Sequence, residues 1–158
     1  MVRDGVGPLP PGQVVLVRHA RAGDRDAWPG DDRARPLDDR GRRQARAIAD
    51  LLAGAGVTRL VSSPALRCVE TLAPLSAALA VDIEQRDELA EDAPREALRR
   101  LLEEVAHRPA ALCLHGDVFP DLLDGRTSKK GGAWVVRVAG DGVEPVAYHP
   151  PVKAPSSG

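Results

Sequence analysis

Aromatic residues, cysteines and long apolar runs are all scarce in this chain. Aromatic side chains make up only 3% of the 158 residues, so leucine, valine and alanine must build the core. The two cysteines, Cys68 and Cys113, form no CxxC pair, which argues against a zinc or thioredoxin-type site and favours two buried free thiols. No stretch reaches the roughly 18 apolar residues that a membrane-spanning helix needs, so no membrane partner is expected.

An excess of charge of either sign is missing as well. The 22 Lys and Arg residues nearly balance the 23 Asp and Glu residues, leaving a net charge of -1. Nucleic-acid-binding proteins usually carry a basic excess, so no nucleic-acid partner is expected. The opening "MVRDGVGPLPPGQ" lacks the apolar core of a signal peptide, which predicts a cytoplasmic protein. The sequence leaves the oligomeric state open.

Apolar runs alternate with helical patterns between ends that are rich in Pro, Gly and Ser. We expect one domain over residues 14–150, a flexible arm over 1–13 and a flexible tail over 151–158. The patterns predict strands at 14–17, 58–63, 81–85 and 110–115, helices at 38–56, 64–79, 93–108 and 117–125, and a closing hairpin across "GDG" at 140–142. This alternation predicts an α/β three-layer sandwich, in which helices cover both faces of a mainly parallel sheet.

One helix start carries a specific prediction. Ser63 is expected to cap the second helix, because serine is a favoured N-cap and Pro64 would then take the favoured first helical position.

Ionisable residues follow the predicted strands at their carboxyl ends. Arg18 and His19 end the first strand, Arg67 lies just after the second, and His115 ends the strand at 110–115. The stretch "RDELAED" at 86–92 supplies carboxylates after the third strand. Ligands gather beyond the carboxyl ends of strands in α/β sheets, so these residues are expected to share one site.

The set suits phosphoryl transfer. Charge spreads over three phosphate oxygens in that reaction, and arginine offers permanently charged, bidentate donors. A histidine nucleophile must attack through an unprotonated nitrogen, while its other ring nitrogen donates to a backbone carbonyl. Two arginines could hold the phosphate, so we expect no metal or cofactor. The acidic residues Asp31, Asp32, Asp38 and Asp39 could suggest a metal site, but loop and helix-cap roles are favoured.

Four motifs, in order along the chain, resemble the histidine phosphatase superfamily, the phosphoglycerate mutase-like group. They are "LVRHA" at 16–20, "SSPALRCVETL" at 62–72, "LAE" at 89–91 and "LHGDV" at 114–118. Ala20 stands where the Arg-His-Gly signature has glycine. The stretch "RPLDDRGRRQA" at 35–45 is similar to SixA-type phosphohistidine phosphatases. The resemblance covers about residues 14–149 and implies the phosphoglycerate mutase-like fold.

The resemblance also implies a role for each residue of the site. His19 would be the nucleophile, and Arg18, Arg67 and His115 would hold the phosphate oxygens. Glu91 would protonate the leaving group, with Glu88 and Asp92 as local competitors.

The expected function is metal-independent hydrolysis of phosphomonoesters or phosphohistidine through a phosphohistidine on His19, acting on a phosphorylated small molecule or phosphoprotein. A mutase is disfavoured, because the chain has little room for a lid over the pocket. A phosphate-binding module without turnover is a further alternative.

A nucleotide-type substrate is also open. The stretches at 30–45 and 129–136 resemble the phosphatase domain fused to actinobacterial Nudix hydrolases. No Nudix motif is present, so such a partner would be a separate chain. Lys129 and Lys130 are interpreted either as a basic rim beside the substrate or, preferably, as a solvated turn.

Overall fold

The computed structural model describes residues 5–140 and 142–152. One six-stranded sheet, in the order β3-β2-β4-β1-β5-β6, forms the centre of the fold. The strands are β1 Gln13–Arg18, β2 Arg59–Ser62, β3 Ile83–Gln85, β4 Ala110–Leu114, β5 Ala133–Ala139 and β6 Gly142–His149. The first four in sequence run parallel, and the β5–β6 hairpin adds two antiparallel strands at one edge. The mainly parallel sheet and the hairpin are therefore as predicted.

Helices cover both faces of this sheet. They are α1 Asp39–Leu52, α2 Leu66–Leu79, α3 Arg95–Val105 and α4 Val118–Leu122. Side chains alternate along β1, so Val15 and Val17 pack with α1 and α2, whereas Val14 and Leu16 pack with α3 and α4. The predicted three-layer sandwich is confirmed.

Helix α1 begins where the sequence predicts. The Asp38 carboxylate caps it by accepting a hydrogen bond from the Gly41 amide at 2.7 Å. A side chain at Gly41 would place its Cβ 1.9 Å from the carbonyl oxygen of Arg21. Glycine at this position therefore lets the chain that leaves β1 pack directly on the first turn of α1.

The start of α2 differs from the prediction. The helix begins at Leu66 with Ala65 as its N-cap residue, so Ser63 does not cap it and Pro64 lies outside it. The Ser63 hydroxyl instead contacts the His115 ring at 2.9 Å and accepts from the Ala65 amide at 3.3 Å. Residues 63–65 lie outside the helix because they bring the Ser63 hydroxyl to His115. The first helical turn therefore begins at Leu66.

The described part of the N-terminal segment, where we expected a flexible arm, contacts the end of α1 and the turn after it. The amide of Val6 donates to the carbonyl of Leu51 at 2.8 Å, and the amide of Leu9 donates to the carbonyl of Ala55 at 3.1 Å. The Leu9 side chain is buried. Residues 1–4 of the predicted arm, and 153–158 of the predicted tail, lie outside the described residues. In the part of the chain that is described, no helix is both long enough and apolar enough to cross a membrane.

Candidate active site

The site lies at the carboxyl ends of β1, β2 and β4. The amide of His19, just past β1, donates to the carbonyl of Leu114 in β4 at 3.1 Å. The amide of Ser63, just past β2, donates to the carbonyl of Cys113 at 3.0 Å. The three strand ends are thus joined by backbone hydrogen bonds, which fix the starting points of the side chains that follow them.

His19 is buried and oriented by the backbone. Its Nδ1 lies 2.8 Å from the carbonyl oxygen of Ala20, so Nδ1 carries the proton and Nε2 keeps its lone pair. Burial is the main cause that lowers the pKa of His19 to about 3; the Ala20 contact opposes this shift, and the charges of Arg67, His115 and Arg18 add to it. The ring is therefore neutral near pH 7, with the backbone carbonyl contact that the sequence analysis expected.

His115 faces His19 across the site. Its Nε2 lies 2.9 Å from the hydroxyl oxygen of Ser63 and 3.7 Å from the sulfur of Cys68. The Ser63 hydroxyl can donate its proton to Nε2 while its oxygen accepts from the Ala65 amide. In that tautomer His115 carries its proton on Nδ1, which is buried without a hydrogen-bond partner in the described part of the chain. Cys68 and Cys113 are both buried free thiols, as predicted.

Arg67 reaches the site from the first turn of α2 and is 1% exposed. One terminal nitrogen donates to the carbonyl of Asp32 at 2.9 Å. The other lies 3.1 Å from the Asp32 carboxylate and 3.4 Å from Glu91. The two carboxylates thus hold the outer end of the guanidinium, while its Nε is buried and has no partner.

Arg18 approaches from the opposite side, at the end of β1. Its Nη1 donates to the carbonyl of Ser128 at 2.7 Å. The guanidinium lies directly against Gly116, where an added Cβ would be 2.5 Å from the Arg18 Cζ. Burial is the main cause that lowers the pKa of this guanidinium. Its Nε, like that of Arg67, is buried without a partner.

Three buried side-chain nitrogens therefore lack a hydrogen-bond partner in the described part of the chain, namely Arg18 Nε, Arg67 Nε and His115 Nδ1. All three belong to residues that the sequence analysis expected to hold phosphate. A buried donor without an acceptor costs about 1–3 kcal/mol, so such groups are rarely left together without a function. The cluster suits an anion that offers several acceptor oxygens.

Glu91 lies at the edge of this cluster, and its side chain is 46% exposed. Its carboxylate accepts from Arg25 at 3.1 Å and from Arg67 at 3.4 Å. Of its two competitors, Glu88 is held by Arg86 at 2.7 Å, and hydrogen bonding to that arginine lowers the pKa of Glu88. Asp92 and Glu91 both line a cleft of about 450 Å³ that opens beside Arg67.

Several site residues were missed because they lie in the polar loop between β1 and α1. Asp32 accepts from Arg67, Arg25 and Arg35, and Arg35 also donates to the carbonyl of Ala22 at 2.8 Å. From the sequence, Asp32 was expected only as a metal ligand or a loop residue. The loop has no helical or strand periodicity, and its alternating charges were the one signal available.

Some of the other acidic residues have the local roles that we favoured for them. Asp38 caps α1, and Asp31 caps the short turn at 32–34. Among the described residues, no group of three or more His, Cys, Asp or Glu side chains is arranged to hold a metal ion.

Comparisons with known proteins identify the family and the fold of the chain. The family model of the histidine phosphatase superfamily (branch 1) matches residues 14–109. An 8-oxo-(d)GTP phosphatase from Mycolicibacterium smegmatis is 34% identical over 148 residues, which covers 84% of this chain. The chain spans about half of that relative's length, 46%.

Solved structures support the fold. The protein histidine phosphatase SixA, solved with tungstate, has a TM-score of 0.74 at 21% identity, covering 88% of this chain and 97% of that one. A candidate phosphohistidine phosphatase SixA from Agrobacterium tumefaciens has a TM-score of 0.72 at 26% identity, covering 89% and 99%. These neighbours confirm the predicted phosphoglycerate mutase-like fold. Its family and its relatives support a phosphatase function. The chain belongs to the histidine phosphatase superfamily.

Proposed function

We propose that the chain is a metal-independent phosphatase that uses His19 as its nucleophile. The observation that carries this proposal is the set of three buried donors without partners, which lies around a neutral histidine. Both histidines and both arginines that the sequence assigned to the reaction contribute to this one site.

The reaction then has two steps. The lone pair on His19 Nε2 attacks phosphorus, a phosphorus–nitrogen bond forms, and the bond to the leaving group breaks, with the electron pair going to the leaving group. Water next attacks the phosphohistidine, the phosphorus–nitrogen bond breaks, and its electron pair returns to Nε2. The products are inorganic phosphate and the dephosphorylated leaving group.

Arg18, Arg67 and His115 stabilise the charge on the phosphate oxygens during both steps. Two unit charges about 4 Å apart interact by roughly 4 kcal/mol at an effective dielectric constant of 20, so two guanidiniums can replace a metal ion in this role. The three donors are already buried and oriented, which reduces the reorganisation that the reaction needs.

Glu91 is the proposed proton donor for leaving groups that need one. Its carboxylate accepts from two arginines in this structure, so it must gain a proton before it can act. A phosphate dianion bound at Arg67 would compete with Glu91 for that guanidinium.

The substrate is a phosphorylated small molecule or a phosphoprotein. Phosphomonoesters and phosphohistidine are the first candidates, supported by the neighbour from Agrobacterium tumefaciens at 26% identity. A nucleotide-type phosphate is the second candidate, supported by the 34% identity to the 8-oxo-(d)GTP phosphatase.

Labelling with a ³²P-phosphorylated substrate tests the mechanism. Wild-type protein should form an acid-labile, base-stable phosphoenzyme, and His19→Ala should form none. His107→Ala is the matched control, because His107 is exposed and lies outside the site. Equal labelling of wild type and His19→Ala would contradict the covalent mechanism. Tight phosphate binding without turnover would identify a binding module instead.

A further inference from the structure

A second cleft lies next to the phosphate site, and half of the residues that line it are basic. It has a volume of about 750 Å³. We call its polar side the basic shelf, which consists of Arg21, Arg40, Gln44, Lys129 and Lys130. Residues 150–152 form its apolar side.

The basic shelf is connected to the nucleophile through the backbone. The amide of Gly131 lies 3.1 Å from the carbonyl oxygens of both Arg18 and His19. Its neighbour Lys130 lines the basic shelf and also the cleft of about 350 Å³ that contains Arg18 and His19. The basic shelf therefore begins where the phosphate site ends.

The charges of the basic shelf are poorly neutralised. Arg21 pairs with Asp38 at 3.0 Å, whereas Arg40, Lys129 and Lys130 have no carboxylate of a described residue within 4.0 Å. Burial, followed by the charges of Arg18, Arg35 and Arg21, lowers the pKa of Lys130. This crowding of like charges would be relieved by an anion bound among them.

The other side of the phosphate site has the opposite charge. Five carboxylates and two guanidiniums line the cleft beside Arg67, and the carboxylates of Asp31, Asp87 and Asp92 form no ion pair with a described residue. An anionic extension of the substrate would be repelled there and attracted by the basic shelf. A polyanionic substrate would therefore extend from the phosphate site toward the basic shelf and away from the cleft beside Arg67.

We propose that the basic shelf binds a second phosphate, linked covalently to the phosphate that His19 attacks, so that oligophosphates are preferred over simple monoesters. This inference rests on the proposed function. His19 Nε2 bonds to the terminal phosphorus, and the bond from that phosphorus to the bridging oxygen breaks. The shortened oligophosphate leaves with the electron pair, and water then releases inorganic phosphate from His19.

This leaving group agrees with the state of Glu91. A phosphate oxygen is a much better leaving group than an alkoxide and needs little help from a proton donor. The hydrogen bonds that Glu91 accepts from Arg25 and Arg67 therefore present no obstacle to this reaction.

Tripolyphosphate and 4-nitrophenyl phosphate are the probes for this proposal. We would measure kcat/KM for tripolyphosphate divided by kcat/KM for 4-nitrophenyl phosphate. This ratio is compared between wild type and the double variant Arg40→Ala/Lys129→Ala. The ratio should be roughly 10-fold lower in the double variant than in wild type. This difference between the two proteins should become smaller as salt is added. The matched control is Arg99→Ala/Arg100→Ala, which removes the same charge from the exposed face of α3 and should leave the ratio unchanged.

The outcomes separate the two proposals. Hydrolysis of the aryl phosphate with an unchanged ratio in Arg40→Ala/Lys129→Ala would overturn the second-phosphate site and leave the phosphatase intact. Failure of wild type on every phosphate ester would overturn the proposed function itself. A phosphohistidine peptide with acidic neighbours provides a third arm. If its hydrolysis alone depends on the basic shelf, this surface binds carboxylates of a protein substrate and the oligophosphate proposal is wrong.

Discussion

The rings of His19 and His115 meet edge to face, with their centroids 5.5 Å apart and an angle of 65° between their planes. Protonating His19 would place a new positive charge beside Arg18 and Arg67 in a buried site. Burial therefore keeps His19 neutral, and in the proposed mechanism His115 would present its Nδ1–H to the phosphate.

The buried neutral state of His19 makes stability depend on pH. The unfolded chain binds this proton below about pH 6.5, whereas the folded chain does so only near pH 3. The unfolded state thus binds more protons between these values, and the free energy of unfolding falls as the pH falls through this range. Between about pH 7 and pH 4.5 we expect wild type to lose roughly 2–3 kcal/mol more than His19→Gln. Urea unfolding of both proteins measures this, and identical losses would contradict the burial of a neutral His19.

Gly116 is predicted to control the position of Arg18. Gly116→Ala places a methyl group 2.5 Å from the guanidinium carbon, so Arg18 must move away from the phosphate. We expect kcat/KM to fall by about 10²-fold, since misplacing a binding group by about 1 Å has effects of that size. Inorganic phosphate should also become a weaker inhibitor. Gly7→Ala, where an added Cβ meets nothing within 4 Å, is the control and should behave as wild type.

Glu91 is predicted to matter only for poor leaving groups. Glu91→Gln should slow hydrolysis of an alkyl phosphate by about 10²–10⁴-fold, the usual contribution of a general acid, and affect an aryl phosphate far less. Rates for both esters in Glu91→Gln, Glu88→Gln and Asp92→Asn identify the donor. If only Glu88→Gln or Asp92→Asn slows the alkyl ester, Glu91 has been misassigned. If none of the three does, the natural leaving group needs no proton from the enzyme.

Activity is predicted to survive a chelator. In the proposed mechanism the positive charge that offsets the phosphate comes from Arg18 and Arg67, so treatment with EDTA should change kcat by less than about twofold. Loss of turnover in EDTA, followed by its recovery with Mg²⁺ or Zn²⁺, would assign a metal to the acidic residues of the loop between β1 and α1.

The residues at strand ends could be predicted from the sequence because two local signals coincide there. A buried strand such as β1 is recognisable as an unbroken apolar run, and the charged residue that ends it must then lie at the sheet edge. Arg18, His19 and His115 were found in this way. Arg67 needed only the additional inference that a helix starts just after β2.

Contacts between segments could not be predicted in the same way. Asp32 pairs with Arg67 across 35 positions of sequence, and nothing local to either residue indicates the partner. Ser63 shows the same limit. Its hydroxyl was expected to cap the adjacent helix, whereas in the structure it contacts His115, 52 positions away in sequence. Such contacts depend on which segments lie close together in space, and the periodicity of a sequence carries no information about that.

The three buried nitrogens without partners also set a limit on how stable this fold can be. At about 1–3 kcal/mol each, they are a large share of the 5–15 kcal/mol that holds a typical domain together. Selection for thermostability alone would therefore act against leaving these three donors unpaired, although the proposed mechanism needs them to hold phosphate. An oxyanion such as vanadate or phosphate should instead supply the missing acceptors and raise the melting temperature, by an amount that grows with its concentration.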